Sequence, residues 1–172
     1  VPHWNFAGLE GQNILVTVYT NCDTLELFLN GESCGKKAIE PYGHGEWEAP
    51  YAPGELRVMG FLAGQAVCED VRVTTGRPVR LRLHLDNEFE ANGRDLALFT
   101  CDCLDAQGRS VPDAAPFVRF SVNAPARIVA TGSDNCDHNP VTLPERQMYM
   151  GKITVAVRPE NGQKHLELLA CS

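Results

Sequence analysis

Alternation of apolar and polar residues organises the chain from its first strand-like run. In NILVTVYT, residues 13–20, Ile14, Val16 and Val18 alternate with Leu15, Thr17 and Tyr19, the period of two that belongs to a β-strand. Both faces are fairly apolar, which predicts a strand buried on both sides. In LELFLNGESCGKK, Leu25, Leu27 and Leu29 share one face, and Asn30-Gly31 supplies the positive φ angles of a two-residue type I′ turn, so a hairpin is expected. Further on, Pro53-Gly54 fits the centre of a type II turn and Ala63-Gly64 a second hairpin turn, with Leu56, Val58 and Gly60 alternating in the strand between them.

The pattern breaks at TTGRPV, residues 74–79, where Gly76 and Pro78 punctuate the chain. It then restarts: Val79, Leu81, Leu83 and Leu85 point one way and Arg80, Arg82, His84 and Asp86 the other, a strand with one wet face. A domain boundary is expected here, dividing 1–75 from 76–172. DLALFTCDCLDAQGRSVPDA reads as a strand and an Ala106-Gln107-Gly108 turn, and FVRFSV, ARIVATG, ITVAVRP and HLELLA follow as short runs. At least six strands and no sustained helical period predict an immunoglobulin-like sandwich for 76–172. The expected fold class is all-β, two β-sandwich (immunoglobulin-like) domains in tandem, with any helix limited to one turn.

Length and composition agree with this. The 172 residues are long for one sandwich and comfortable for two small domains. Apolar residues at 44% and charged residues at 22% lie near the globular average, so a core can be buried. A net charge of −7 and scattered arginines argue against nucleic acid or an anionic membrane as partner, since both require a concentrated cationic surface. No stretch approaches the ~20 apolar residues of a membrane span, and VPHWNFAGLEG lacks the regions of a signal peptide. Val1 in place of an initiating Met predicts a segment excised from a longer chain.

Candidate chemistry is sparse. No Gly-x-Ser-x-Gly turn is present and the five histidines are dispersed. Glycoside hydrolysis requires two carboxyl groups flanking one cavity, whereas Asp and Glu here fall mostly in turns and on wet strand faces. No catalytic residue and no cofactor is expected. Cys101-Asp102-Cys103 lacks the second knuckle of a zinc site, so the two thiols read as small apolar side chains on an inner strand face beside Phe99. Two apart on one strand, they sit at the limit of disulfide reach and are not expected to bond. An odd total of seven cysteines predicts reduced thiols and a cytoplasmic parent.

The loop TGSDNCDHNP crowds Asp134, Asn135, Asp137, His138 and Asn139 together. The spacing is not that of an EF-hand, and Asx residues favour loops by bonding local backbone, so no metal is expected. Trp4, Phe6, Tyr19, Trp47 and Tyr51 supply the aromatic content of the first half. Exposed, they would stack on sugar rings; a domain this small needs them as core.

Taken together, HWNF, VYTNCDTLELFLNGESCGKK, WEAPYAPGELRVMGF and VRVTTGRPVRLRLHLD resemble, in order and spacing, the segment that follows the catalytic barrel in glycoside hydrolase family 2 enzymes of the β-galactosidase type. The family's pattern is an HWNW-like motif, then SN-x-x-x-VELFLNG-x-S-x-G, then a Trp and a Y-x-PGEL turn; Phe6 replaces the second Trp and Thr20 the Ser. The second half looks like the C-terminal immunoglobulin-like domain of the same enzymes, through DLALFTCDCLDAQGRSVPDA and through TGSDNCDH, which is similar to the family's G-x-GD-x-x-x-H loop but departs from it at Ser133.

The resemblance implies a non-catalytic C-terminal region of an enzyme that hydrolyses terminal β-galactosides, the two catalytic glutamates lying on an upstream barrel. The expected partner is that barrel, with sugar or barrel contacts at Trp4, Trp47, Asp134 and His138. An apolar patch of Val1, Trp4 and Phe6 is expected where the barrel docks, with self-association as its symptom. Two alternatives stand beside this reading. A carbohydrate-binding module predicts a coplanar, solvent-facing aromatic pair, whereas the scaffold reading predicts Trp4 and Trp47 buried. An immunoglobulin-like interaction or adhesion domain predicts an exposed partner-binding face.

Overall fold

The computed structural model describes residues 2–135 and 137–172; Val1 of the expected patch and Cys136 of the acidic loop lie outside them. The chain divides into two compact units, Val1–Thr74 and Thr75–Ser172. Among the described residues every regular element is a strand and no helix forms.

The first unit holds β1 (Asn13–Tyr19), β2 (Thr24–Leu29), β3 (Glu32–Ala38), β4 (His44–Pro50), β5 (Glu55–Leu62) and β6 (Gln65–Val73). β1 pairs with β4, and β3-β2-β5-β6 form an antiparallel four-stranded sheet. Both hairpin turns carry the left-handed pair that type I′ demands, at Asn30 and Gly31 (φ 52° and 86°) and at Ala63 and Gly64 (φ 49° and 81°). Asn30 also fastens the neighbouring turn: its side-chain oxygen accepts from Glu55 N–H at 2.8 Å and its amide donates to the Pro53 carbonyl at 3.2 Å. Gly54, at φ 137°, approaches so closely that an added Cβ would lie 1.9 Å from that same oxygen, which fixes glycine there.

The core of this unit gathers Trp4, Leu25, Leu27, Trp47, Ala49 and Tyr51. Each indole N–H finds a backbone carbonyl, Trp4 at Ala52 (3.0 Å) and Trp47 at Gly35 (3.1 Å), so two large apolar rings enter the interior without an orphaned donor. Register explains a departure from the sequence expectation for β1. Ile14, Val16 and Val18 lie opposite Ala49, Trp47 and Gly45 on the covered face, but Leu15 and Tyr19 are 61% and 81% exposed. The β1–β4 pair is covered by protein on one side only, so the strand is not buried on both.

The second unit holds β7 (Arg80–Leu85), β8 (Ala97–Leu104), β9 (Phe117–Val122), β10 (Arg127–Gly132), β11 (Glu145–Gln147), β12 (Lys152–Arg158) and β13 (Leu168–Cys171). A four-stranded sheet, β10-β12-β8-β7, and a three-stranded one, β11-β9-β13, supply the two inner faces of one core, with Cys101, Ile153 and Val155 from the first and Val118 and Phe120 from the second. Four strands on three, with β8 beside β12 through a crossover, is the immunoglobulin-like plan. Cys101 and Cys103 are buried in that core with Phe99 packed against it, and the six described cysteines are free thiols. Leu81 and Leu83 are half-buried, while Val79 and Leu85, expected on the same inner face, are exposed. They lie just before the first residue of β7 and at its last, at the two ends of the strand.

Candidate functional site

Trp4 and Trp47 are only 1% and 4% exposed. Neither presents a ring face to a sugar or a barrel, because edge-on packing of Trp4 against Phe6 and Tyr51, at 5.7 and 5.2 Å, encloses it, and Trp47 fills the space that Gly45 leaves open. The expected patch of Val1, Trp4 and Phe6 is corrected accordingly: Trp4 is core and Phe6 is half-buried. Among the described residues the aromatic ring pairs are tilted or edge-on, not coplanar.

Asp134 and His138 are exposed, Asp134 with a left-handed backbone (φ 55°). The loop that carries them is instead organised by Arg146 of β11, a buried side chain. Its Nη1 donates to both Asp137 carboxylate oxygens at 2.6 Å, its Nε to Thr131 Oγ1 at 3.1 Å, and its Nη2 to the Pro140 carbonyl at 3.1 Å. The hydrogen bond from Arg146 holds the Asp137 carboxyl below the usual carboxylate range, against the burial that works the other way. The loop is therefore a clasp around a buried guanidinium. Among the described residues no group of three His, Cys, Asp or Glu is placed to hold a metal ion.

Two further acids that sequence reasoning assigned to turns and wet faces are buried. Asp102 takes Arg82 at 2.8 Å, His84 Nδ1 at 3.3 Å and Lys152 at 4.0 Å, because strand register sets both Arg82 and Lys152 opposite it. Asp105 accepts from the backbone of Gly76, Gln107 and Arg109 and from the Arg109 side chain. Both are saturated by cations or N–H donors, a condition for holding a turn or a sheet face, not for passing a proton to substrate.

A cleft of about 470 Å³ opens in the first unit, lined by Phe6, Ile14, Val16, Leu27 and Val58 with Asp70 and Arg72 at its polar part. Asp70 supplies the one carboxylate of the lining and is ion-paired to Arg72. Glycoside cleavage by the usual route requires two carboxyl groups across the bond, and the cleft supplies one.

What the first unit does present is the outer face of β1–β4. Leu15, Thr17 and Tyr19 lie across from Glu48, Glu46 and His44. All six are exposed. The Tyr19 ring sits 5.5 Å from that of His44, which is 3.2 Å from Glu46. Two large apolar side chains, Leu15 and Tyr19, thus stand among acids on the uncovered face of a strand pair.

Comparison with known proteins bears on this division. Residues 81–172 match the family model described as glycoside hydrolase family 2 C-terminal domain 5, and residues 11–68 match a domain of unknown function, DUF4982. The chain is 34% identical to a β-galactosidase, BoGH2A, of Bacteroides ovatus over 99% of its own length and 20% of that protein's. It is 28% identical to a putative β-glucuronidase of Formosa agariphila, over 92% of this chain and 16% of the relative. Among solved structures, a glycosyl hydrolase family 2 member from Bacteroides cellulosilyticus superposes with a TM-score of 0.95 at 32% identity, covering 99% of this chain and 24% of that one. The chain thus spans about a fifth of the length of the curated relatives it matches.

Proposed function

The chain belongs to glycoside hydrolase family 2 as a non-catalytic, accessory part of its C-terminal region, and from that premise we propose that the parent is a β-glycosidase removing terminal β-galactosides. It associates with the catalytic region of its own parent chain. The observation that carries the proposal is the match, over 99% of these residues, to a β-galactosidase of which they cover only 20%. The chemistry of the described residues supports the same division of labour, since their buried acids are saturated by donors and their cleft holds a single, paired carboxylate.

The purified 172-residue chain is expected to give no turnover of nitrophenyl β-galactoside, and the full-length enzyme to turn it over. Activity of the isolated chain that vanishes in Asp70→Asn would overturn the accessory role. A full-length enzyme that cleaves nitrophenyl β-glucuronide and spares the galactoside would overturn the substrate.

The outer face of β1–β4 is the part of the first unit best suited to meet the rest of the parent, for Leu15 and Tyr19 stand there without cover. Leu15→Lys with Tyr19→Lys is expected to leave the isolated chain's Tm within about 2 °C, because exposed substitutions rarely exceed half a kcal/mol. In the full-length enzyme the same pair lowers Tm by several degrees, as two lysines are pressed into an interface. Equal melting of full-length wild type and variant would remove this face from the contact. The same exposed residues make self-association of the isolated chain an expected concentration-dependent effect, and the seven cysteines support a reducing, cytoplasmic setting for the parent.

A further inference from the structure

Cys22 and Cys68 are 46 residues apart in sequence, yet their sulfurs are 3.6 Å apart. The approach is built by the fold. Cys68 lies on β6 directly opposite Gly60 of β5, and Cys22 sits just ahead of β2, where Asp23 N–H bonds the Phe61 carbonyl and Thr20 Oγ1 takes the Cys22 N–H. Both sulfurs point into the space above Gly60. A Cβ added there would lie 2.6 Å from one sulfur and 2.7 Å from the other, so any larger residue would push the thiols out of the site. The environment is asymmetric: Cys22 is buried and Cys68 is open to solvent.

We propose that Cys22 and Cys68 are a redox-active pair that closes to a disulfide under a small-molecule disulfide oxidant such as glutathione disulfide. Exchange begins at the exposed partner. The Cys68 thiolate attacks one sulfur of glutathione disulfide, which releases one glutathione thiolate and leaves a mixed disulfide on Cys68. The Cys22 thiolate then attacks Cys68 Sγ, the Cys22–Cys68 bond forms, and the second glutathione departs. Two protein thiols are oxidised, one glutathione disulfide is reduced to two glutathiones, and the two protons lost by the cysteines end on the departing thiolates.

Closing from 3.6 Å to the roughly 2.05 Å of a disulfide requires side-chain rotation over a glycine, with no neighbouring Cβ in the way. The hydrogen bond with Cys22 pushes the Cys68 thiol upward from its usual pKa, with burial adding to it, so the reaction speeds up as pH rises. The bond ties the edge strand β6 to the segment entering β2 and encloses a loop of some 46 residues, long enough for the constraint on the unfolded chain to be large. Among the described cysteines the sulfur-to-sulfur approach is that of Cys22 and Cys68: Cys101 and Cys103 lie two apart on one strand, and the Cys34 thiol faces the Glu32 carbonyl.

The test is to incubate the chain at pH 8 with glutathione redox buffers, quench with acid, and map peptides without reduction. The expected product is a Cys22–Cys68 linked peptide, with a Tm for the first unit higher by about 10 °C and restored to its starting value by dithiothreitol. Cys22→Ser is expected to stop at the mixed disulfide on Cys68. Cys68→Ser, an exposed and conservative change, is expected to keep the reduced chain's Tm and lose the oxidative shift. Wild-type chain that stops at the mixed disulfide, that leaves Cys68 unmodified, or that links other cysteines as readily as this pair would overturn the proposal.

Discussion

Trp4→Ala is expected to unfold the first unit at room temperature. Replacing a fully enclosed indole by a methyl group costs about 3–5 kcal/mol, and a core of this size rarely supplies more than about that in total. The ring is held from several sides, its N–H bonding the Ala52 carbonyl and Phe6 and Tyr51 packing edge-on with it, and the backbone carbonyl of Trp4 accepts from Thr74 Oγ1 at 2.6 Å. That last bond is made by the backbone of Trp4 and joins the start of this unit to its end; it survives in Trp4→Ala, so what the substitution removes is the ring packing and the indole N–H bond. Trp4→Phe keeps the ring contacts and orphans one carbonyl, at about 1–3 kcal/mol, and is expected to fold with a lowered Tm.

The chain reports the result itself. Both of its tryptophans lie in the first unit, so in Trp4→Ala the emission of Trp47 alone follows that unit. A red-shifted Trp47 spectrum in buffer is the expected outcome. An unshifted spectrum with an unchanged thermal midpoint would show that the N-terminal segment is dispensable to the core.

What the sequence made legible was local. Asn30-Gly31 and Ala63-Gly64 announce their turns because the φ angles they adopt belong to those residue types, and the angles found are those expected. Cys101 and Cys103 fall on the inner face because alternation along one strand is a local property. The outer face of β1 was not legible, since whether Leu15 and Tyr19 find cover depends on a second layer that no period encodes. β4, HGEWEAP, was passed over because Gly, Pro and three polar residues mask the alternation that its register with β1 makes plain.

The buried polar groups were the largest loss. Asp102, Asp105 and Arg146 belong to residue types that are rarely buried, and what permits their burial is a set of partners brought in from elsewhere: Arg82 from 20 residues away, Gly76 from 29, Thr131 from 15. The same holds for Cys22 and Cys68. The loop around Asp134 and His138 drew attention through its crowding of Asx side chains, yet its organising residue is an arginine in the short strand ERQ, which has no pattern of its own.

Asp105→Asn is expected to be the most damaging conservative change in the second unit, lowering its Tm by on the order of 10 °C. The carboxylate is fully enclosed and is the acceptor for Gly76 N–H (3.0 Å), for Gln107 and Arg109 N–H (2.9 Å each) and for the Arg109 Nε and Nη2 (2.9 and 2.7 Å). An amide of the same shape turns one of those acceptors into a donor facing donors, and leaves the guanidinium without its countercharge. Burial alone would raise the pKa of this group; the hydrogen bonds from Gly76 and Arg109 and the charge of Arg109 outweigh it and hold the carboxyl well below the usual range. A carboxyl depressed on folding contributes stability that is fully present above its unfolded value of about 3.9 and is lost as pH falls below that toward the folded one. Asp137, depressed by Arg146, acts in the same window and in the same direction. The Tm difference between wild type and Asp105→Asn is therefore expected to be constant from pH 7 to about 5 and to shrink as pH drops below 4. Calorimetry between pH 7 and 2.5 measures it, the second unit being the transition that tryptophan emission does not follow. A gap between the two proteins that is the same at pH 7 and pH 2.5 would mean that the amide N–H set against the donors of Gly76, Gln107 and Arg109, and not the lost negative charge, accounts for the damage.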